Sequence, residues 1–486
     1  MFIKIISMPE KFYITTPIYY VNAKPHIGHA YTTIAADVLA RFQKLQGKEV
    51  FFLTGTDEHG LKIQKKAQEN GKNPQQFVDE ISGEFKKLWK DLNIEYSNFI
   101  RTTDPKHIAA VQKVLQTLKD NGSIYLGTYF GMYCVGCEQF KSENELVDGK
   151  CPDHNTVPEK MEEECYLLKM ADIQDDLIEK IEKNEFWIAP ERYRNEMLSF
   201  LKSQKLNDIS ISRKNVQWGI PLPFDPEQTA YVWIDALLNY LTGIGWDPVK
   251  SEADHGASGD NFSKFWPANV QLIGKDILRV HATIWPAILL HLGIELPKVL
   301  FTHGHILSDG KKMSKTLGNA IAIEEMIEKF GADGTRYLLL SAGPFGQDID
   351  VTMERMIENY NADLANGLGN LVSRVVKLSE NYEKNISNRE FKIDGNIIER
   401  FSRFRFDQEL KMTWLLVAED NKYIAETKPW ELVKNNQKAF NEVMDKLMRD
   451  LFVIANRLMP FMPDTSEKIK KALETKQTEI LFPRIK

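Results

Sequence analysis

The chain has 486 residues, of which 43% are apolar and 27% charged, so it can bury several cores and is not a disordered polymer. Its net charge of -6 argues against a protein that binds polyanions over its whole surface. No apolar run approaches the roughly 20 residues of a membrane-spanning helix, and the first residues are charged too soon for a secretory signal, so we expect a cytoplasmic protein.

The first elements of the chain predict a parallel sheet. Residues 11–18 have the composition of a buried strand, residues 29–46 have a helical pattern that Gly47 ends, and residues 48–56 predict a second strand. A strand, a helix and a strand in this order form a βαβ unit. Because ligands of such sheets bind beyond the carboxyl ends of the strands, the loops that follow these strands are candidates for a functional site.

The same order of elements returns late in the chain. Strands are predicted at residues 269–276 and 298–306, with one helix at residues 277–292 between them. Residues 116–230 separate the two halves, are rich in Glu and Lys, and contain all four cysteines. We therefore predict a doubly wound α/β domain that is split by this insertion.

After about Met353 the strand patterns end, and long stretches with apolar residues three and four apart predict an all-α bundle. The predicted domains are thus residues 1–115 and 231–352 for the two halves of the sheet domain, 116–230 for the insertion, and 353–486 for the bundle. Residues 371–486 hold 22 Lys and Arg against 18 Asp and Glu. Such a surface could approach nucleic acid, although a solvated helical surface explains the same excess.

Two histidines flank a glycine in the loop between the first strand and the first helix. His26 and His29 are three residues apart, so they lie on one face of the helix start, around Gly28. The positive end of the helix attracts phosphate, imidazoles can donate to it, and Gly28 leaves room for a base or ribose. The pattern indicates a nucleotide site; the alternative is an incidental pair of capping histidines.

A second candidate loop follows the strand predicted to end near Ile306. It contains Lys312, Ser314 and Lys315 between glycines, and its two lysines could hold a triphosphate and neutralise the charge that builds on leaving pyrophosphate. A solvated basic loop is the alternative. Because both loops follow strands of the same predicted sheet, a shared site is favoured.

The two loops carry a family resemblance. Residues 26–29 match the HIGH signature of class I aminoacyl-tRNA synthetases, and residues 312–316 match KMSKS with Thr316 in the last position. The segments TPIYYVNAKPHIGHAYTT, TGTDEHG, VWIDALLNY and THGHILSDGKKMSKTLGN resemble the methionyl branch of this family, and the resemblance covers nearly the whole chain. It implies a Rossmann-like catalytic domain, a zinc-binding insertion and a helical anticodon-binding domain.

The resemblance also implies a reaction, the ATP-dependent ligation of L-methionine to tRNA(Met) through a methionyl-adenylate, with release of AMP and pyrophosphate. The catalytic residues would be His26, His29, Lys312 and Lys315, which position the reactants and stabilise charge without acting as nucleophiles. ATP would enter with Mg²⁺. The residues that would bind it are Gly28, Asp276, Lys312, Ser314 and Lys315.

The insertion contains a metal-binding pattern. Cys134 and Cys137 are separated by two residues, as are Cys151 and His154, and two such pairs can close a tetrahedron around one zinc ion. An acidic stretch follows rather than a basic helix, which favours a structural zinc over a nucleic-acid-binding finger. The alternatives are buried reduced cysteines, and Cys165 as a ligand in place of His154.

A methionine pocket must be apolar with a few polar anchors. The resemblance assigns this role to Ile18, Tyr20, Asp57, Trp233, Ala236, Leu237, Tyr240 and His281. Asp57 follows a predicted strand, where a carboxylate can hold an α-ammonium, and Asp276 has the corresponding place for the ribose hydroxyls. Residue chemistry alone favours helix N-caps for both carboxylates and core positions for Trp233 and Tyr240.

In the predicted bundle, Asn370 and Arg374 lie four residues apart on one helix face, and Trp430 follows Pro429. The resemblance assigns to them the reading of the CAU anticodon, in which Trp430 stacks on an unpaired base and the other two bond base edges. Surface or packing roles are the alternative on chemistry alone.

Two other functions fit parts of the pattern. A tRNA-independent nucleotidyltransferase shares the histidine motif but needs no helical domain of this length. A tRNA-binding relative that has lost catalysis would not need intact His26, His29, Lys312 and Lys315. The chain ends soon after the last predicted helix without a further strand-rich segment, and its tail offers mostly charge, so we expect a monomer.

Overall fold

The computed structural model describes residues 10–134, 139–141, 146–152, 155–214, 216–248, 261–313, 321–383 and 390–486. A six-stranded sheet lies at its centre, and every neighbouring pair of its strands is parallel. In chain order the strands are β1 (Lys11–Tyr20), β2 (Glu49–Asp57), β3 (Asn98–Arg101), β4 (Trp187–Ala189), β5 (Val270–Gly274) and β6 (Val299–His303). Their order across the sheet is β3-β2-β1-β5-β6-β4. The predicted parallel α/β sheet is confirmed.

Both faces of this sheet are covered. Tyr13 and Ile14 are adjacent in β1, so their side chains point to opposite faces, and each is fully buried in a different hydrophobic core. Leu272 and Ile273 of β5 divide in the same way. Burial on both faces explains why these strands are near-continuous apolar runs rather than alternating ones.

The first βαβ unit is confirmed. A helix at Ile27–Leu45 connects β1 to β2, close to the predicted residues 29–46. It begins earlier than predicted because His26 caps its first turn.

The second unit differs from the prediction in two ways. The single helix expected at residues 277–292 is instead two helices, Leu278–Ala282 and Ile284–His291, which are broken at Thr283. Pro286 explains the break, because it lacks the N–H that would bond the carbonyl four residues earlier. The strand expected at residues 298–306 ends at His303, and Ile306–Ser308 pairs in another sheet.

That small sheet forms the start of the loop that contains Lys312, Ser314 and Lys315, called the lysine loop below. Ile306–Ser308 pairs antiparallel with Lys311–Lys312 and parallel with Ile349–Asp350. Asp309 and Gly310 connect the hairpin with φ of 52° and 70°. Positive φ at both positions is the requirement of a two-residue type I′ turn, which explains the Asp-Gly sequence.

The insertion folds mainly as antiparallel sheets. One sheet has the strand order Gln139–Lys141, Ile124–Cys134, Glu159–Leu168, Ile209–Ser210, and the other has the order Pro221–Leu222, Asp225–Ala230, Ser212–Arg213. One strand of the predicted insertion, β4, joins the central sheet beside β6.

A helical region follows Ile349–Asp350, the last strand in the described part of the chain, as predicted. A π-helix at Tyr360–Gly369, which the sequence pattern did not predict, runs directly into the helix Asn370–Ser379. The other helices of this region are Met353–Asn359, Gly395–Ser402, Phe406–Thr427, Pro429–Asn435, Gln437–Leu458 and Pro463–Thr475.

The remaining α-helices pack around the central sheet and the insertion. They are Leu61–Glu69, Pro74–Asp91, Pro105–Asp120, Gln174–Glu182, Glu191–Ser203, Val232–Leu237, Asn239–Thr242, Asn261–Phe265 and Ile323–Ser341. Short 3₁₀ turns lie at Ala171–Ile173 and Lys275–Ile277. Among the described residues, none of the helices has the length and apolar character needed to cross a bilayer.

Candidate active site

The central sheet reverses its strand order between β1 and β5. In doubly wound sheets this switch point opens a crevice at the carboxyl ends of the strands, where ligands bind. β1, β2, β5 and β6 end at Tyr20, Asp57, Gly274 and His303. Of the predicted ATP and methionine residues, Ile18 and Tyr20 lie at the end of β1, Asp57 ends β2, and Gly28 and Asp276 follow β1 and β5 closely. Trp233, Ala236, Leu237 and Tyr240 belong instead to the helices Val232–Leu237 and Asn239–Thr242.

The two predicted histidines form one unit at the start of the helix Ile27–Leu45. The His26 side chain caps the helix by accepting from Gly28 N–H at 3.1 Å, and His29 Nδ1 accepts from His26 N–H at 3.3 Å. Their rings stack with centroids 3.6 Å apart. A Cβ on Gly28 would lie 3.0 Å from His26 Cε1 and 3.1 Å from its Nδ1, so a larger residue would crowd the capping ring.

This hydrogen bonding fixes which ring nitrogens carry protons. Because each Nδ1 accepts a backbone N–H, each neutral ring carries its proton on Nε2. Burial lowers the pKa of His29 well below its usual value, and the neighbouring His26 lowers it further. At neutral pH the His29 ring is therefore an uncharged Nε2–H donor. The capping and phosphate-binding interpretations are thus compatible.

A contact that the sequence interpretation missed joins the helix Ile27–Leu45 to β6. Thr32 Oγ1 lies 2.7 Å from His303 Nε2, while His303 Nδ1–H donates to Gly304 O at 2.7 Å. The carbonyl fixes the tautomer, so Nε2 accepts the Thr32 hydroxyl proton. The only signal in the sequence was the position of His303 at the end of a strand.

The lysine loop begins at the same edge of the sheet. Its hairpin follows β6 directly, and the backbone of Lys312 pairs with Leu307. Ser314 and Lys315 lie outside the described residues, as does the side chain of Lys312. The structure therefore locates the root of the loop, and the roles of these three residues stay predictions.

Asp276 is exposed in the 3₁₀ turn that follows β5, and His305 Nε2 lies 4.0 Å from its Oδ1. It is not a helix N-cap, which was the alternative for this residue, because Gly274 has that position. The neighbouring Lys275 is held by Asp348 at 2.7 and 2.8 Å. An exposed carboxylate at a strand end is suitably placed for ribose hydroxyls.

The predicted methionine residues divide by exposure. Ile18, Tyr20 and Trp233 are half-buried, whereas Ala236 and Leu237 are buried. Trp233 is therefore not an enclosed core residue, as residue chemistry alone would favour. Half-buried apolar side chains at the sheet edge are what the wall of a small apolar pocket requires.

Two polar predicted residues form a buried pair in this region. The Tyr240 hydroxyl donates to His281 Nε2 at 2.8 Å, and His281 Nδ1–H donates to Ile277 O at 3.0 Å. Burial lowers the pKa of His281 to about 4, so its ring is neutral. Tyr240 is only 1% exposed, which makes it a core residue whose hydroxyl orients His281.

Asp57 is the last residue of β2 and is 8% exposed. Its backbone carbonyl accepts Val21 N–H at 3.1 Å, which ties the end of β2 to the end of β1. The N-cap alternative fails for Asp57, because the next helix is preceded by Gly60 without a side-chain cap.

The three predicted anticodon residues lie on the helical region, far along the chain from the sheet edge. Asn370 is exposed, Arg374 is half-buried and Trp430 is 42% exposed. Asn370 Nδ2 donates to Asn421 Oδ1 at 3.3 Å, and Asn421 in turn donates to Gly367 O at 3.2 Å. An exposed tryptophan that begins a helix can stack on a base.

Half of the predicted zinc site lies within the described residues. Cys134 is 1% exposed and ends the strand Ile124–Cys134, where it pairs with Gln139. Cys151 is fully buried, and its N–H donates to Thr156 O at 2.9 Å. Cys137 and His154 lie outside the described residues. Within that described part, no three potential ligands come together as a metal site. Two buried thiols fit the donor set of a structural zinc.

Comparisons with known proteins agree with one another. A family model described as "tRNA synthetases class I (M)" matches residues 12–157 and 144–376. The methionine-tRNA ligase of Clostridium acetobutylicum is 43% identical over 99% of this chain and 79% of its own length, and that of Thermosynechococcus vestitus is 41% identical over 95% and 90%. The structure of Mycobacterium tuberculosis methionyl-tRNA synthetase in complex with methionyl-adenylate has a TM-score of 0.87 at 35% identity, covering 98% of this chain and 99% of that one.

Proposed function

The chain belongs to the class I tRNA synthetases of the methionine type, and from this membership we propose that it ligates L-methionine to tRNA(Met). The reaction has two steps. The methionine carboxylate attacks the α-phosphate of ATP to form methionyl-adenylate and pyrophosphate, and the terminal ribose of the tRNA then attacks the adenylate and releases AMP. The likeness over almost the whole chain to a synthetase that binds methionyl-adenylate is the observation that carries this proposal.

In the first step the protein positions the reactants and stabilises charge. The Nε2–H groups of His26 and His29 donate towards the phosphates, and the positive end of their helix adds to the attraction. Lys312 and Lys315 neutralise the charge on the leaving pyrophosphate. Mg²⁺ bound with ATP supplies further charge neutralisation. No residue of the chain forms a covalent intermediate.

ATP is held by residues that surround the crevice. Gly28 leaves space for the nucleotide beside the two histidines, Asp276 accepts from the ribose hydroxyls, and Ser314 donates to the phosphates together with Lys312 and Lys315. The exposed position of Asp276 after β5 supports its part in this assignment.

Methionine binds in the pocket of half-buried side chains. Trp233, Ile18 and Tyr20 contact its side chain, with Ala236 and Leu237 at the base, and the Asp57 carboxylate holds its α-ammonium group. Burial keeps His281 neutral, and the Ile277 carbonyl and the Tyr240 hydroxyl hold it in one tautomer, so the pocket presents no positive charge there to an apolar thioether. The half-buried positions of Ile18, Tyr20 and Trp233 support the assignment.

The tRNA is recognised by the helical region. Trp430 stacks on an unpaired anticodon base, and Asn370 and Arg374 bond base edges. The exposure of Trp430 and the anchoring of Asn370 by Asn421 support these roles.

A structural zinc would stabilise the insertion. Its ligands are Cys134, Cys137, Cys151 and His154, of which the two described cysteines are buried as such a site requires. Cytoplasmic location and a monomeric state remain predictions.

Pyrophosphate exchange tests the proposal. The purified protein, with ATP and labelled pyrophosphate, is assayed with each of the standard amino acids in turn. Exchange that depends on methionine is the expected result. The absence of exchange with every amino acid would favour a tRNA-binding relative without catalysis. Exchange that requires a substrate other than an amino acid would favour a nucleotidyltransferase.

A further inference from the structure

A buried carboxylate with two imidazole partners lies in the helix that carries Trp233 and Ala236. Asp235 is 1% exposed; its Oδ2 lies 2.7 Å from His59 Nδ1, and its Oδ1 lies 2.8 Å from His107 Nε2. The other ring nitrogen of His107, Nδ1, forms a hydrogen bond of 2.7 Å with Thr242 Oγ1. His59, Asp235 and His107 form the Asp235 cluster, which neither the binding nor the catalytic assignments above use.

The Asp235 carboxylate is ionised in this setting. Burial acts to raise its pKa, but the two imidazoles outweigh burial and the net effect lowers the pKa. Charge-assisted hydrogen bonds are shorter and stronger than neutral ones, and a buried charge that loses one partner is costly. The cluster therefore resists distortion more than an apolar contact of the same size would.

The cluster joins the two sides of the methionine pocket. His59 follows Asp57 by two residues, on the side that would hold the α-ammonium group. Asp235 lies between Trp233 and Ala236 on the side that would hold the side chain. At 3.6 residues per turn, Trp233 and Asp235 point to nearly opposite sides of their helix, and Ala236 returns to the side of Trp233. One face of the helix is thus anchored while the other lines the pocket.

The helix that carries these residues depends on such an anchor. It spans only Val232–Leu237 and has no side-chain cap. Helices this short are not stable by themselves, so tertiary contacts must set their position. The buried Asp235 carboxylate supplies a directional contact in addition to apolar packing.

The end of β2, to which the anchor attaches, is itself held firmly. Glu58 is fully buried, and its carboxylate accepts two hydrogen bonds from the Arg101 guanidinium at 2.7 and 2.8 Å. It also accepts a hydrogen bond from the Thr56 hydroxyl at 2.6 Å. His59 also contacts the ring of Trp218, whose Nε1–H donates to Glu58 O at 2.6 Å. The cluster therefore ties a short helix to a fixed point of the sheet.

We infer that Asp235 is a positioning residue for methionine, which acts through His59 and His107 to hold the Trp233 face of its helix against the segment that presents Asp57. The inference rests on the proposed function, since it names what sets the geometry of that pocket. Loosening the cluster separates the two halves of the methionine site. The ATP residues belong to other elements and keep their places.

The test measures the affinity of methionine and of ATP separately in the Asp235→Asn variant. We expect the KM for methionine in pyrophosphate exchange to rise at least about tenfold, because displacements near 1 Å have effects of that order or larger. The KM for ATP should stay within about twofold. Asp420→Asn is the matched control, since it removes a fully buried carboxylate of the helical region; it should change neither constant.

A second pair of variants covers the case in which Asp235→Asn does not fold. His107→Ala removes one partner of the carboxylate, whereas the amide of His107→Gln can still donate to it, so methionine affinity should fall in the first and recover partly in the second. An unchanged KM for methionine in these folded variants, with only a lower melting temperature, would overturn the inference. If the wild-type protein shows no methionine-dependent exchange, the proposed function fails instead.

Discussion

Burial determines the charge of His281. Its ring is 2% exposed, and its pKa is about 4, although the carbonyl of Ile277 and the charge of Asp276 act in the opposite direction. An unfolded histidine has a pKa near 6.5. Between these two values the unfolded chain binds a proton that the folded chain does not, so stability is lost as the pH falls through this window.

We therefore predict that His281→Gln reduces the acid sensitivity of folding. From the two pKa values, the free energy of unfolding contributed by this histidine falls by about 2 kcal/mol between pH 7 and pH 5. Denaturant unfolding at both pH values measures the change in wild type and variant. Tyr240→Phe is the control, because it removes the hydroxyl partner but keeps the buried ring of His281. Equal pH dependence of wild type and His281→Gln would contradict the assigned charge state.

Lys315 is expected to stabilise charge that appears mainly in the transition state. Lys315→Ala should therefore slow pyrophosphate exchange by about a hundredfold to a thousandfold, while methionine binding measured by calorimetry changes little. Lys311→Ala, which removes an exposed lysine from the hairpin before the loop, is the matched control and should retain the rate. A normal rate with weakened methionine binding would exclude this role for Lys315.

Trp430 lies at the exposed start of the helix Pro429–Asn435 and is proposed to contact tRNA. Because amino acid activation needs no tRNA, a substitution there should affect only the second step of the reaction. Trp430→Ala should leave pyrophosphate exchange intact but weaken aminoacylation by about 1 to 3 kcal/mol, the usual value of one base stack. Ile398→Ala, which truncates a similarly exposed apolar side chain of the same region, is the control. Equal damage to both reactions would mean that Trp430 is a packing residue.

The zinc site that is proposed for the insertion can be tested separately. We expect one zinc per chain in gently purified protein, and loss of this zinc in the variant Cys134→Ser plus Cys137→Ser, as measured by elemental analysis. Cys165→Ser should keep its zinc, because buried Cys165 is assigned to packing rather than to the metal. Loss of zinc in Cys165→Ser would instead make Cys165 the fourth ligand, and protein without zinc in any form would refute the site.

Sequence patterns predicted the strands better than the helices of this fold. The strands β1, β2 and β5 are apolar runs bounded by turn residues, so their ends could be placed within two or three residues. The break at Thr283 was missed because apolar residues continue across it and hide the effect of Pro286. The Asp235 cluster was missed because its members are far apart in the chain, and only the fold brings one carboxylate between two imidazoles.

At the scale of the whole molecule, the sheet domain and the helical region share one hydrophobic core. Arg336 is fully buried at their junction, where it pairs with Asp37 at 2.7 Å and donates to Phe461 O at 2.7 Å. Asp37 belongs to the helix that His26 caps. The proposed catalytic and anticodon-binding regions are thus connected through packed elements, which suits an enzyme that must engage both ends of a tRNA.

Transfer of methionine to tRNA(Met) by this chain can be measured directly. The most direct measurement incubates the protein with ATP, labelled methionine and unfractionated tRNA, and then sequences the tRNAs that carry label. We expect the label on tRNAs with a CAU anticodon. Methionyl-adenylate formation without any labelled tRNA, or label on tRNAs with other anticodons, would contradict it.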